Sequence, residues 1–84
     1  MRTRHEDSRS GRRIVHGEAD DGRVMRLSVT AQVVDWYFYR YASAWRQRIL
    51  EDFDRTGALD PRAQEMHNAK GPALMVLRDD RAPA

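Results

Sequence analysis

Residues 31–56 run without a glycine or a proline, and their apolar members recur at a helical period. Val33, Val34, Trp36, Tyr37, Phe38 and Tyr41 lead on to Ala44, Trp45, Ile49, Leu50 and Phe53. Thr30 stands where an N-cap is needed, and Gly57 stands where a helix would stop. A second cap at Ser43 would divide the stretch into helices over 31–40 and 44–55. The rival is one uninterrupted helix along the stripe Val34, Phe38, Tyr41, Trp45, Ile49 and Phe53. Periodicity alone does not choose between them.

Little else in the chain could build a core. Its 84 residues are 40% hydrophobic and 33% charged with a mean hydropathy of −0.83, polar enough that some segments are expected not to fold alone. There is no cysteine, which excludes disulfides and thiolate metal sites. A second copy is the obvious relief for so small a core.

The net charge of +2 is unevenly spread. Residues 1–16 carry five arginines against Glu6 and Asp7, and the first 13 residues hold no large apolar side chain apart from Met1. Residues 1–22 therefore read as a disordered basic arm followed by an acidic loop, with Asp21-Gly22 a turn signal. Fourteen of the fifteen basic residues are arginine, a bias that fits phosphate or carboxylate recognition but that a GC-rich genome also produces. No apolar run approaches the ~20 residues that span a bilayer, and the N-terminus lacks the apolar region of a secretory signal. No membrane partner and a cytoplasmic location are expected.

Residues 23–29 alternate in part, with Met25, Leu27 and Val29 on one side and Val24, Arg26 and Ser28 on the other. One strand is not stable alone. No strand of matching quality is apparent before Gly57, so pairing with the same strand of a second copy is expected. Asp60-Pro61 opens a short helix through about residue 68, which Gly71-Pro72 stops. Residues 58–84 then read as this helix followed by a partner-binding or flexible tail, with an apolar run over 73–77.

A strand followed by two helices resembles the ribbon-helix-helix family. Residues 24–53 are similar to its BrnA-type antitoxins and, more distantly, to the Arc repressor. The resemblance rests on Val24-Met25-Arg26-Leu27-Ser28, on Val33-Val34-Asp35-Trp36-Tyr37 and on Trp45-Arg46-Gln47-Arg48-Ile49. The family's glycine-rich turn is replaced here by Arg40-Tyr41-Ala42-Ser43-Ala44. The fold implied is mainly α with one short N-terminal strand, over 23–57, paired across a homodimer. The function implied is a sequence-specific DNA-binding antitoxin and transcriptional autorepressor that also neutralises a cognate ribonuclease toxin.

On that resemblance Val24, Arg26 and Ser28 face base edges of double-stranded DNA, with Arg26 suited to guanine. Ser43, Ala44, Trp45, Arg46 and Arg48 lie where phosphate would meet the second helix's N-terminus. Met25, Leu27, Val34, Trp36, Phe38, Trp45, Ile49 and Phe53 form the dimer core, and Leu74, Met75, Val76 and Leu77 bind the partner protein. Blander uses stand beside these: Arg26 as a solvated edge charge, Arg46 and Arg48 as intrahelical partners of Glu51 and Asp52.

The alternative is a small helical protein-interaction module, such as a phage or plasmid adaptor, without DNA binding. An enzyme is not expected. His5, His16 and His67 lack metal-site spacing, and the chain has neither a glycine-rich phosphate loop nor an activated nucleophile. No cofactor or metal is expected.

Overall fold

The computed structural model describes residues 1–6, 11–65 and 71–81. Four strands, β1 (Arg2–Glu6), β2 (Arg12–Glu18), β3 (Val24–Thr30) and β4 (Leu74–Asp79), form one antiparallel sheet in the order β1-β2-β3-β4. Helices α1 (Ala31–Tyr41), α2 (Trp45–Thr56) and α3 (Pro61–Glu65) are inserted between β3 and β4.

This corrects the fold expected from the resemblance. The strand and two helices form where local sequence puts them, but β3 is an inner strand. It pairs with β2 from Arg12↔Thr30 to Glu18↔Val24, and with β4 from Met25↔Asp79 to Val29↔Leu74. Both of its edges are occupied within one chain, so no ribbon can form with a second copy. The protein is an antiparallel sheet carrying helices on one face, and the mainly α class with one strand is overturned.

The supposed basic arm supplies the missing strands. β2 contributes one fully buried side chain, Val15, opposite Leu27. β1 contributes none: its side chains from Arg2 to His5 are exposed, because an edge strand can pair through backbone alone. The β2–β3 hairpin turns at Asp21-Gly22. Ala19 N–H donates to the Arg23 carbonyl at 2.8 Å, and Gly22 takes φ +88°, the left-handed conformation this short loop demands.

The core lies between the sheet and the two long helices. Val15, Met25, Leu27 and Val29 meet Val33, Tyr37, Trp45, Ile49, Leu50 and Phe53. Gly17 belongs to the same sheet face, and a Cβ there would lie 2.8 Å from Leu50 Cδ1. The missing side chain lets α2 close onto β2.

Residues 31–56 are two helices. Thr30 caps α1, its Oγ1 accepting from Val33 N–H at 3.4 Å. The break comes at Ala42, whose φ is +48°, followed by a 3₁₀ turn over Ala42–Ala44. Ala44, not Ser43, is therefore the residue ahead of α2, and no side chain caps it. Gly57, at φ +75°, ends α2 by donating to the Phe53 carbonyl at 2.8 Å. Asp60 opens α3, its Oδ1 accepting from Arg62 N–H at 2.9 Å. The expected extension of that helix through residue 68, and the tail beyond 81, lie outside the described residues.

Candidate interaction surfaces

The two ends of the sheet are chemically unlike. β1 presents Arg2, Thr3, Arg4, His5 and Glu6, a charged edge of the kind that resists further strand pairing. Its Arg2 pairs with Glu18 at 3.7 Å, and Arg46 Nη2 donates to His5 Nδ1 at 2.8 Å, tying the strand to α2. β4 presents Leu74-Met75-Val76-Leu77 instead. Leu74 packs partly against the core, whereas Met75, Val76 and Leu77 are 43%, 50% and 42% exposed. The β3–β4 register shifts between Arg26 and Leu27, pairing Arg26 with Arg78 and Leu27 with Val76 and leaving Leu77 as the extra residue. A bulge twists the edge without covering it.

The C-terminal end of β4 is firmly anchored. Arg81 donates to Asp79 at 2.7 and 2.8 Å, to Asp54 at 2.9 Å and to the Phe53 carbonyl at 3.3 Å. Its guanidinium lies 4.5 Å from the centre of the Phe53 ring. These carboxylate bonds, Asp79 first, hold the Arg81 pKa above its ordinary value and Asp79's below. Asp80 accepts from Val24 N–H at 3.1 Å and pairs with Arg78 at 2.8 Å. The apolar half of β4 is thus held in place although its outer edge is open.

The sheet face away from the helices carries Ile14, Val24 and Met75 among polar residues and is largely roofed by its own arginines. Arg12 donates from Nε to Ser28 Oγ at 2.8 Å and from Nη2 to the Ser28 carbonyl at 3.0 Å. Arg26 grips Glu6 through Nε and Nη2 at 2.9–3.3 Å. That contact is the main reason the Glu6 carboxyl titrates below its ordinary value and Arg26 above its own. His16 is only 9% exposed; its Nδ1 sits 3.3 Å from Glu6 Oε2, yet neither ring nitrogen has a hydrogen-bond partner among the described residues. A cavity of about 280 Å³ beside it is lined by Arg2, Thr3, Arg4, His16 and Glu18.

The residues expected to touch DNA are dispersed by this fold. Val24 and Ser28 are buried at 8% and 7% exposure, and Arg26 is bound to Glu6. Ser43 and Ala44 are exposed in the 3₁₀ turn, while Trp45 is in the core. Arg46 covers the Trp45 ring at 4.3 Å, and Arg48 lies over Tyr41 at 4.6 Å and pairs with Glu51 at 3.2 Å. The Arg48 pair with Glu51 is the intrahelical use set beside the DNA reading, whereas Arg46 turns to Trp45 and to His5 of β1 and pairs with neither Glu51 nor Asp52.

The expected dimer core is mostly this chain's own core. Met25, Leu27, Trp45, Ile49 and Phe53 are buried within it, and Val34 and Trp36 pack on it in part. Phe38 alone of that set is left out, at 54% exposure, beside Tyr39 at 91%. Trp36 is held between Arg40 and Arg62, at 4.4 and 5.3 Å, and a cavity of about 320 Å³ on this side is lined by Gln32, Asp35, Trp36, Tyr39 and Arg40.

Arg4, Glu6, Arg12, His16 and Arg78 escape a helix-centred reading of the sequence. The available signal was the alternation in 12–18: Arg12, Ile14, His16 and Glu18 against Arg13, Val15 and Gly17. Among the described residues no three His, Asp or Glu side chains gather as a metal site, and no helix is long and apolar enough to cross a membrane. No family model matches the chain, and neither a curated protein nor a solved structure matches it.

Proposed function

We propose that the protein is a protein-interaction module that works by strand addition at β4, and that its first partner is a second copy of itself. The observation that carries this reading is the contrast between the sheet's ends: β1 is charged from Arg2 to Glu6, whereas β4 leaves Met75, Val76 and Leu77 exposed on an open edge. An uncovered apolar edge strand is a template for another strand, because its outer N–H and C=O groups and its side chains are both unmet. Two copies of β4 running antiparallel about a two-fold axis between Val76 and Leu77 would bring four apolar side chains together. This keeps the interaction-module alternative but docks through a strand rather than through a helix. A ribonuclease toxin of the kind implied by the resemblance would use the same edge in place of the second copy.

Light scattering with size-exclusion chromatography tests the reading on the wild-type chain and on Val76→Lys and Leu77→Lys. A wild-type dimer near 100 µM that each lysine converts to a folded monomer is the expected result. A wild-type monomer at that concentration, or a dimer indifferent to both substitutions, rejects self-pairing through β4.

A further inference from the structure

The open face of the sheet carries a row that no packing argument requires. Arg4 pairs with His16, His16 with Arg26, and Arg26 with Arg78, so four basic side chains cross all four strands in one line. At about 4.8 Å between neighbouring strands the row is about 14 Å long. Like charges set directly opposite each other destabilise a sheet. Here they are kept in place by carboxylates at the flanks: Glu6 takes the Nε and Nη2 edge of Arg26, and Asp80 takes that of Arg78 at 3.1 and 2.8 Å. A guanidinium has five N–H donors, so a bidentate carboxylate does not exhaust it.

Within the row, His16 is almost wholly buried; its Nδ1 lies 3.3 Å from Glu6 Oε2 and its Nε2 has no hydrogen-bond partner among the described residues, on the wall of a cavity it shares with Arg2, Arg4 and Glu18. A buried polar atom without a partner is costly, and an oxyanion entering this cavity would supply an acceptor for an N–H at Nε2. The two arginines beside it have the fork geometry that fits phosphate.

We propose that this face binds the sugar-phosphate backbone of a nucleic acid, with Arg4, His16 and Arg78 as phosphate contacts. The row is long enough to meet several successive phosphates, which a single small anion would not need. No Phe, Tyr or Trp stands on this face among the described strand residues and the His16 ring is buried, so bases have no platform to stack on and recognition is of the backbone. The surface is distinct from the outer edge of β4 and does not depend on self-pairing.

The test is fluorescence anisotropy with a labelled mixed-sequence DNA 12-mer, single-stranded and duplex, over a salt series. Wild type, Arg4→Gln, Arg78→Gln, His16→Gln and the control Arg55→Gln are compared, each checked by circular dichroism. Micromolar or tighter binding at low salt is expected. For the single strand, the slope of log K against log salt should shrink by about 0.7 for each arginine lost from the row and stay unchanged in Arg55→Gln. His16→Gln should weaken binding several-fold; if it fails to fold, the arginine pair still decides. No binding, equal losses in the control, equal affinity for a labelled polyglutamate peptide, or displacement by millimolar inorganic phosphate at constant ionic strength would each overturn the proposal.

Discussion

The Tyr37 hydroxyl donates to Asp52 Oδ2 at 2.7 Å inside the core, and the same oxygen accepts the backbone N–H of Asp60 at 2.9 Å. One phenol thereby joins α1, α2 and the start of α3. Asp52 is 5% exposed, and its other oxygen accepts from Arg55 at 3.2 Å. Tyr37→Phe keeps the ring but orphans both the carboxylate oxygen and the Asp60 N–H. The expected loss is about 1–3 kcal/mol, since unmet buried groups cost more than a hydrogen bond is worth. Urea unfolding at pH 7 measures it.

The same phenol gives an alkaline signature. Burial, with the adjoining carboxylates, raises its pKa above the ordinary 10.0. A raised folded pKa means the contribution is complete below pH 10.0 and is lost as pH climbs above it. Wild-type stability should fall above that pH, and its advantage over Tyr37→Phe should narrow. Paired unfolding curves at pH 8 and above would reveal a constant gap if Tyr37 were not the group responsible.

Glu6 acts at the other end of the scale. Its carboxyl is held below 4.5 chiefly by the Arg26 hydrogen bonds. A lowered folded pKa contributes stability that is present above 4.5 and disappears as pH falls through the folded value. Glu6→Gln should be less stable than wild type at pH 6, with the difference closing on acidification. Urea midpoints from pH 6 to 3 provide the comparison, and parallel profiles would rule out this ion pair as a source of acid sensitivity.

Ala42 is a place where stability can be raised. Its φ of +48° is a conformation L-residues avoid and glycine accepts freely. Ala42→Gly should stabilise the fold by about 1 kcal/mol even though glycine is the poorer helix former, because the residue lies at the break between α1 and α2. A thermal melt that moved downward would mean the turn is not strained.

Gly17 tests the packing of α2 on β2. Gly17→Val brings side-chain atoms against Leu50, and overpacking of this kind costs about 1–3 kcal/mol. Leu50→Ala alone opens a cavity and costs about 2–5 kcal/mol. The double substitution should cost less than the two single losses together, because the valine fills what the leucine vacates. Strict additivity in a double-mutant cycle would separate the two sites.

What could be read from the sequence was the chemistry of single residues. Thr30 as a cap, Gly57 as a stop, Asp60-Pro61 as a start and Asp21-Gly22 as a turn all act within a few positions of themselves. Strands β1 and β2 escaped because Arg2 to Glu6 carries nothing apolar and β2 buries only Val15 among its large apolar residues. Their pairing is decided by neighbours, not by their own composition. The division into two helices was legible as an option at Ser43 but could not be chosen over one continuous helix, because alanine, the strongest helix former, occupies the strained position at Ala42. Residues 74–77 were legible as a sticky segment, but only the sheet makes them an edge. Arg4, His16, Arg26 and Arg78 are scattered from one end of the sequence to the other, and antiparallel register alone lines them up.

The unlike ends of the sheet also set a limit on growth. A strand edge that pairs with its own kind on both sides would polymerise without end, as fibres do. Here a β4–β4 union would spend the apolar edge of each molecule's sheet and turn outward, at both extremities of an eight-stranded sheet, the arginines and glutamate of β1. Assembly would halt at two by construction, and the hazard that an apolar edge ordinarily carries would be confined to a chain that has lost its first strand.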